Sequence, residues 1–453
     1  MGHAARSGRL SRREALRLGA AAGISIPVLR HSRAGASASG DVTFFSTQFN
    51  NVDEAERFRD ILGGAYDGNV EFIPGDAGQL ATQIRAQVEA DRVEINLIGG
   101  LHGDLAPLAA DGLLEDLSGV MESLGDRGYA EGFLELAMAG GDVPVYIPWM
   151  QATYVLAIHN DALETLPSGA DVNALTYDQF LEWSAAAREA NDGRAVFGLP
   201  AGPDGLIHRF IQGYLYPSFT GGQISGFSSP EAVTMWEYFR SLWENCVAAS
   251  ANYSFMQEPL AAGEVLVGWD HVARLIEAPR DDPDAWTFAP APSGPAGLGF
   301  MAILAGVAIP RGAPDQEAAT ALITALSEPA TQLAVLSQNA FFPVVEAEIT
   351  DDLPPEIQLE ATAVAATQSA DNAIAALPPV GLGANDAQMS QAFRDAFTAI
   401  VLDGNDIAEV LARQAEVIQG LLDEVEAPCW APDPPSDGGV CQVDAGAPTT
   451  TQP

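Results

Sequence analysis

The sequence contains no lysine: all 21 basic residues of its 453 are arginine. A phosphate loop of the GxxxxGK[ST] type is therefore excluded, because its lysine cannot be supplied. Cysteine is scarce, with Cys246, Cys429 and Cys441 as the full set. They form no CxxC pair and no Cys/His cluster, so neither a structural zinc site nor any other metal site is expected. A GxSxG elbow and an HExxH helix are also missing. Gly381-Leu382-Gly383 follows no clear strand and is a weak dinucleotide signal, so no cofactor is expected. No apolar run approaches the length that spans a bilayer, and no internal repeat is visible.

What is plentiful is negative charge. Against the 21 arginines stand 61 acidic residues, a net charge of -40. Such a surface repels nucleic acid and anionic membranes and stays hydrated in concentrated salt. Apolar residues make up 47% of the chain, enough for two or three cores at this length. A glycosidase carboxylate pair cannot be read from spacing when acids are this common.

Residues 1–38 read as an export signal. Ser11-Arg12-Arg13 carries paired arginines, Leu18–Leu29 is a short apolar run, and Ala36-Ser37-Ala38 suits signal peptidase. The segment resembles a twin-arginine signal, with Arg30 and Arg33 beyond the apolar run. No cysteine follows that run, so no lipid anchor is expected there. Its loss removes seven arginines and Glu14, leaving 14 basic and 60 acidic residues and a net charge of -46.

From Asp41 the pattern alternates. Val42–Ser46 reads as a strand, and Asp53–Ala65 as a helix with Ala55, Phe58, Ile61, Leu62 and Ala65 on one face. Val70–Ile73 reads as a strand, Leu80, Ile84 and Val88 mark a helix, and Val93, Ile95 and Leu97 a third strand. Alternation of this kind predicts helix-covered, mostly parallel sheets. Ligands of such sheets lie beyond the carboxyl ends of the strands. That nominates Ser46, Thr47 and Gln48, then Gly100, His102 and Asp104. The plainer alternative for His102 is a satisfied surface residue.

The central stretch is Asp142–Asp161. Val143, Val145 and Ile147 alternate, as do Tyr154, Leu156 and Ile158, with Pro144 and Pro148 interrupting. The loop between, Trp149–Thr153, sets an aromatic beside amide and hydroxyl groups, as a ligand-stacking cleft wall does. The alternative is a core hairpin with Trp149 buried. Further on, Thr176–Gln179 is a capping box before Phe180, Trp183 and Ala187, and Ser229-Pro230 opens a helix on Val233, Trp236, Phe239 and Trp243. These aromatics are expected in the core. Asp204 lies in the loop Pro200–Gly205. Trp269 and Asp270 lie at the exit of a buried strand, Val265–Val267, and Gly299 and Phe300 precede the apolar strand Met301–Ile309. Helices are expected over Ala387–Leu402 and from Ile407 to Leu422. The Pro/Asp/Gly-rich tail from Ala427 to Pro453 is expected to be mostly disordered. Cys429 and Cys441 there can close a small loop, or Cys246 can capture either.

In this order the segments resemble the type 1 extracellular solute-binding proteins of ABC importers, a family that includes maltose- and other sugar-binding members. VTFFST, GQLATQIRAQVEA, LAPLAADGLLEDL, VPVYIPWMQATYVLAIHND, LTYDQFLEWSAAARE, PLAAGEVLVGWDHVARL and SEPATQLAVLSQNAFFPV match family segments from about Val42 to Val425. His159-Asn160-Asp161 stands where the family has Tyr-Asn-Lys-Asp, and Tyr177 where it has Trp.

The resemblance implies two α/β lobes joined by three crossings and hinged around a ligand. Lobe I would hold 41–155 with 270–309, and lobe II 156–269 with 310–426. Trp149, Trp269 and Phe300 would stack on a sugar. Gln48, Gln151, Asp204 and Asp270 would bond its hydroxyls, with Phe341 and Phe342 at the third crossing. His102 and Gly299 join this set by loop position. The expected protein is a monomeric, exported, periplasmic or cell-surface carrier without catalysis, delivering a sugar to a membrane permease. A cationic ligand such as a polyamine, a secreted carbohydrate hydrolase and a structural surface protein are the alternatives.

Overall fold

The computed structural model describes residues 40–50, 52–350, 352–436 and 438–444. The expected export signal, residues 1–38, lies outside them. Eleven strands appear in chain order: β1 (Val42–Ser46), β2 (Val70–Pro74), β3 (Leu97–Leu101), β4 (Ile147–Ala152), β5 (Tyr154–His159), β6 (Phe197–Gly198), β7 (Val267–His271), β8 (Trp286–Ala289), β9 (Leu298–Met301), β10 (Ile303–Ala308) and β11 (Ala373–Ala376).

They form two helix-flanked sheets, one per lobe. The first runs β2-β1-β3-β10-β4, the second β6-β7-β5-β8, and β9 and β11 make a two-stranded ribbon. Parallel pairing is confined to β1 with β2 and β3, β6 with β7, and β9 with β11; β10 and β5 pair antiparallel with both neighbours. The strands that cross between lobes enter without a βαβ unit to set their direction, so the sheets are mixed. The third strand also starts later than its alternation suggests. Asn96 amide bonds the Thr43 carbonyl and its side chain accepts from Thr43 N, and the regular ladder opens only at Leu97.

The lobes exchange chain three times. β4 ends at Ala152 in the first sheet and β5 begins at Tyr154 in the second, with buried Thr153 between. The chain returns between Met301 and Ile303 and stays with the first lobe to Glu346, whose amide bonds the Arg127 carbonyl, before it leaves again. Two spans sit in the opposite lobe to the sequence expectation. Strand β8 pairs with β5 in the second sheet. The helices Gln316–Leu326 and Pro329–Asn339 pack on β1 and on the helix Val52–Ala65 of the first lobe. The cause is β10, which returns the chain to the first sheet, so both helices cover that sheet before the third crossing.

Most residues of the predicted helix faces are buried, while Ala65, Val88, Val233 and Trp243 are half-buried. Ala55, Phe58, Ile61 and Leu62 are buried, as are Met389, Phe393, Phe397 and Ile400, and Ile407, Leu411, Ile418 and Leu422. Thr176 and Gln179 form the expected capping box, and Ser229 caps the helix Pro230–Trp243. Trp183 and Trp236 are core residues.

The described part of the tail, 427–436 and 438–444, is ordered against expectation, and 445–453 lie outside the described residues. Cys429 and Cys441 are joined by a disulfide, while Cys246 stays a buried thiol. Ala427, Trp430, Asp433 and Cys441 are all buried. Composition reports the missing apolar periodicity but not this cross-link, nor the backbone groups elsewhere in the second lobe that the tail satisfies. Among the described residues, no helix is long and apolar enough to cross a membrane, and no group of His, Cys, Asp and Glu could hold a metal ion.

Candidate ligand-binding cleft

The carboxyl ends of β1 and β3 place Thr47, Gln48 and Asp104 together. Thr47 Oγ1 donates to Asp104 Oδ2 at 2.9 Å, Leu101 N donates to the same oxygen at 2.9 Å, and Gln48 Nε2 donates to Thr47 Oγ1 at 3.0 Å. Burial pushes Asp104 up to about 6, against the lowering effect of those two donors. Opposite them the second lobe supplies Arg209, on the short helix Ile207–Phe210, and Asp386, which opens the helix Asp386–Phe397. Arg209 lies 4.0 Å from Asp386 and donates to Gln212 Oε1 at 3.4 Å. Leu101, Gly103 and Asp104 of the first lobe line one cavity with Arg209, Pro379, Gly383 and Asp386 of the second. It holds about 50 Å³ in this conformation.

A second junction lies beside it. Phe341 meets Phe49 of its own lobe at 5.2 Å and His271 of the second lobe at 5.6 Å, and within the second lobe Tyr154 stacks on Trp269 with ring centres 4.7 Å apart. Glu54 of the first lobe is held above the usual carboxylate range by burial, an effect opposed by Arg57 and by Arg274 of the second lobe. Burial lowers His271 to about 3 and His208 well below its ordinary value, with Arg209, Arg394 and Arg274 adding to the effect on His208. Among the described residues, buried side-chain nitrogens of the second lobe without a hydrogen-bond partner include His208 Nδ1, Gln212 Nε2, Trp269 Nε1 and Arg274 Nη1, the last 3.8 Å from the Asp270 carboxylate. Leaving such groups unpaired costs about 1–3 kcal/mol each, which is a stored demand for acceptor atoms.

The crossings are tied by one hydroxyl. Tyr214 OH lies 3.0 Å from Thr153 Oγ1, accepts from Tyr154 N at 3.0 Å and donates to the Tyr154 carbonyl at 2.9 Å. Thr153 Oγ1 donates to the Met301 carbonyl at 2.9 Å. Ahead of the third crossing Gln151 and Phe342 exchange backbone bonds of 3.0 and 2.7 Å, and Gln151 Nε2 donates to the Pro343 carbonyl.

The sequence-nominated residues fall into three groups. Gln48 stands at the cleft edge, and Gln151 and Phe342 at the hinge. Trp269 and Asp270 are fully buried behind the second junction, where burial pushes Asp270 up to about 6. The rest sit elsewhere. Trp149 is not on an exposed loop: it is 2% exposed in β4, packed on Phe44, Phe49 and Phe58. Phe300 is buried in β9, and Gly299 gives its amide to Ser218 Oγ. His102 Nδ1 bonds Tyr146 OH at 2.9 Å inside the first lobe, and Asp204 is exposed. Arg209, His208, Gln212 and Leu377–Gly383 were missed. A lone arginine inside the apolar run Leu206–Tyr214 of a chain so poor in basic residues was the available signal.

This architecture defines a two-lobe binding protein. The profile of the family "Bacterial extracellular solute-binding protein" matches residues 52–333, and the chain belongs to that family. Solved structures of similar fold include the maltose-bound MalE3 of T. maritima, with 20% identity, a TM-score of 0.65, and 84% of this chain and 100% of that one covered. The GacH receptor of Streptomyces glaucescens GLA.O, solved unliganded and with acarbose, has 17% identity, a TM-score of 0.66 and coverage of 85% and 99%. UgpB from Mycobacterium tuberculosis in complex with glycerophosphocholine has 19% identity, a TM-score of 0.65 and the same coverage, 85% and 99%. A sequence search of curated proteins finds no match.

Proposed function

We propose that this extracellular solute-binding protein captures a carbohydrate between its lobes and delivers it to the permease of an ABC importer. The observation that carries the reading is the convergence of Asp104 and Arg209, from different lobes, on one cavity. Thr47, Gln48, Asp104, Arg209, Gln212 and Asp386 are the polar contacts we assign. The unpartnered Gln212 Nε2, beside the cavity-lining Arg209, suits the hydroxyl or ring oxygen of a sugar. An ammonium group only donates, so a polyamine cannot satisfy it. Sugar-type ligands in the MalE3 and GacH structures support the same class.

The cavity of about 50 Å³ is far below the roughly 300–1,000 Å³ of ligand sites, so the lobes part to admit the ligand and close by hinge motion about Thr153, Met301 and the segment after Glu346. The lobes we propose run over 41–152 with 303–346, and 154–301 with 347–426. Residues 1–38 serve as the twin-arginine export signal, and the Cys429–Cys441 bridge suits an oxidising compartment. The mature protein acts as a monomer and turns nothing over.

Thermal unfolding with maltose, maltotriose, trehalose, glycerophosphocholine and spermidine tests the ligand class. A sugar that binds raises the melting temperature in a concentration-dependent way, and spermidine does not. Stabilisation by spermidine with no response to any sugar overturns the assignment, and hydrolysis of a chromogenic glycoside overturns the non-catalytic reading.

A further inference from the structure

The far wall of the cleft is the segment Leu377–Gly383, just after β11. Pro378, Pro379, Leu382 and Gly383 line the cavity. The wall also meets the first lobe. A Cβ on Gly103, in the first turn of the helix His102–Ala110, would lie 2.4 Å from the Pro379 carbonyl oxygen. Pro378 and Pro379 have no amide hydrogens, so the segment cannot extend a ladder and must be held from outside.

The holder is the C-terminal strap, residues 427–444. Leu377 N donates to the Ala431 carbonyl at 2.9 Å. Gln223 Nε2 bridges the Leu377 carbonyl at 2.8 Å and the Ala431 carbonyl at 3.3 Å. Gly381 abuts Pro428, whose Cδ is 3.3 Å from an added Cβ. The strap is anchored in turn at Asp433, which is buried. Its carboxylate accepts from the amides of Gln223 at 2.8 Å, Ile224 at 3.0 Å and Ser225 at 2.8 Å, and from Ser225 Oγ at 2.6 Å. A Cβ on Gly222 would sit 2.4 Å from Asp433 Oδ1, so the turn is shaped around this carboxylate. The far end is tied by Asp444, which accepts from Ser228 N at 2.7 Å, and by the Cys429–Cys441 bridge, which closes the strap on itself.

We propose that the disulfide-closed strap, docked through Asp433 and the Ala431 carbonyl, is the positioning element for the Leu377–Gly383 wall of the ligand cleft. Its importance for ligand affinity rests on the cleft being the ligand site; its hold on the wall does not. The wall's position is then set by a tail that belongs to neither sheet, and reducing the bridge loosens the wall without unfolding either lobe.

Amide hydrogen exchange on the full folded chain tests this without a ligand. Asp433→Ala, the pair Cys429→Ser with Cys441→Ser, and wild type reduced by a phosphine each bear on it. The reduced wild type keeps the test open if a variant fails to fold. The expected result is exchange about ten-fold or more faster at Leu377, whose amide bonds the Ala431 carbonyl, with β1 amides such as Phe44 and Phe45 unchanged. Unchanged exchange in the wall overturns the proposal. So does equal acceleration in the wall and β1, which would make the strap a general stabiliser. Failure of every sugar to bind, with the wall's response intact, would sink the ligand assignment and leave this proposal standing.

Discussion

Replacing Tyr214 by phenylalanine removes a single oxygen from the point where two of the three crossings meet. The ring is fully buried and stays packed on Trp269, at 5.1 Å, and on Tyr154, at 5.9 Å. What is lost is the acceptor for Tyr154 N, the donor to the Tyr154 carbonyl and the contact with Thr153 Oγ1. Tyr154 N then has no replacement, at a cost of about 1–3 kcal/mol, and the weaker losses at the carbonyl and at Thr153 add about 1 kcal/mol. A total of about 2–4 kcal/mol is expected in urea unfolding at neutral pH. Because the loss falls at the junction, the transition should also broaden or split as the lobes uncouple. Tyr253→Phe is the control: its hydroxyl donates to Glu264 at 2.7 Å at an exposed site, and about 0.5 kcal/mol or less is expected. If Tyr214→Phe unfolds within about 0.5 kcal/mol of wild type in a single sharp transition, or if the control costs as much, the hinge role given to this hydroxyl is refuted.

Three further outcomes are expected. Gly103→Ala puts a methyl group against the Pro379 carbonyl, so small-angle scattering should report a less closed molecule and any sugar affinity should fall about ten-fold; unchanged scattering and affinity refute the interlobe contact. Arg209→Gln should abolish the thermal response to a stabilising sugar while moving the unliganded melting temperature little, and a retained response removes Arg209 from the site. Asp104→Asn tests burial of charge. The folded carboxyl titrates at about 6 against an ordinary 3.8, so it holds its proton where the unfolded one has lost it, and its ionisation costs stability as pH rises through that window. The variant's stability relative to wild type should therefore climb between about pH 4 and pH 6 by up to about 3 kcal/mol and stay level above; a difference independent of pH refutes the burial argument.

Local rules were legible in the chain because they are written locally. The apolar spacing of Phe58, Ile61 and Leu62, the Thr176–Gln179 capping box and the strand Val42–Ser46 each need only neighbours a few residues away. The order of segments carried the family likewise, and the lack of lysine and scarcity of cysteine removed whole chemistries. The cleft was less legible, because it is assembled from pieces far apart in sequence: Asp104 at the end of β3, Arg209 in a one-turn helix, and the wall after β11. Trp149 shows the limit most plainly. A tryptophan beside glutamine and threonine reads equally as a cleft wall or as core, and only the packing of Phe44, Phe49 and Phe58 around it decides. The tail shows the converse. Its composition suggests a loose chain, yet Asp433 finds the Gln223–Ser225 amides and Cys429 finds Cys441, partners that no periodicity announces. What the sequence by itself determined was the set of elements and the class of protein. What only the tertiary structure decided was which lobe each returning segment covers, which polar groups face one another across the gap, and which are left without partners, since these depend on distances that sequence separation does not set.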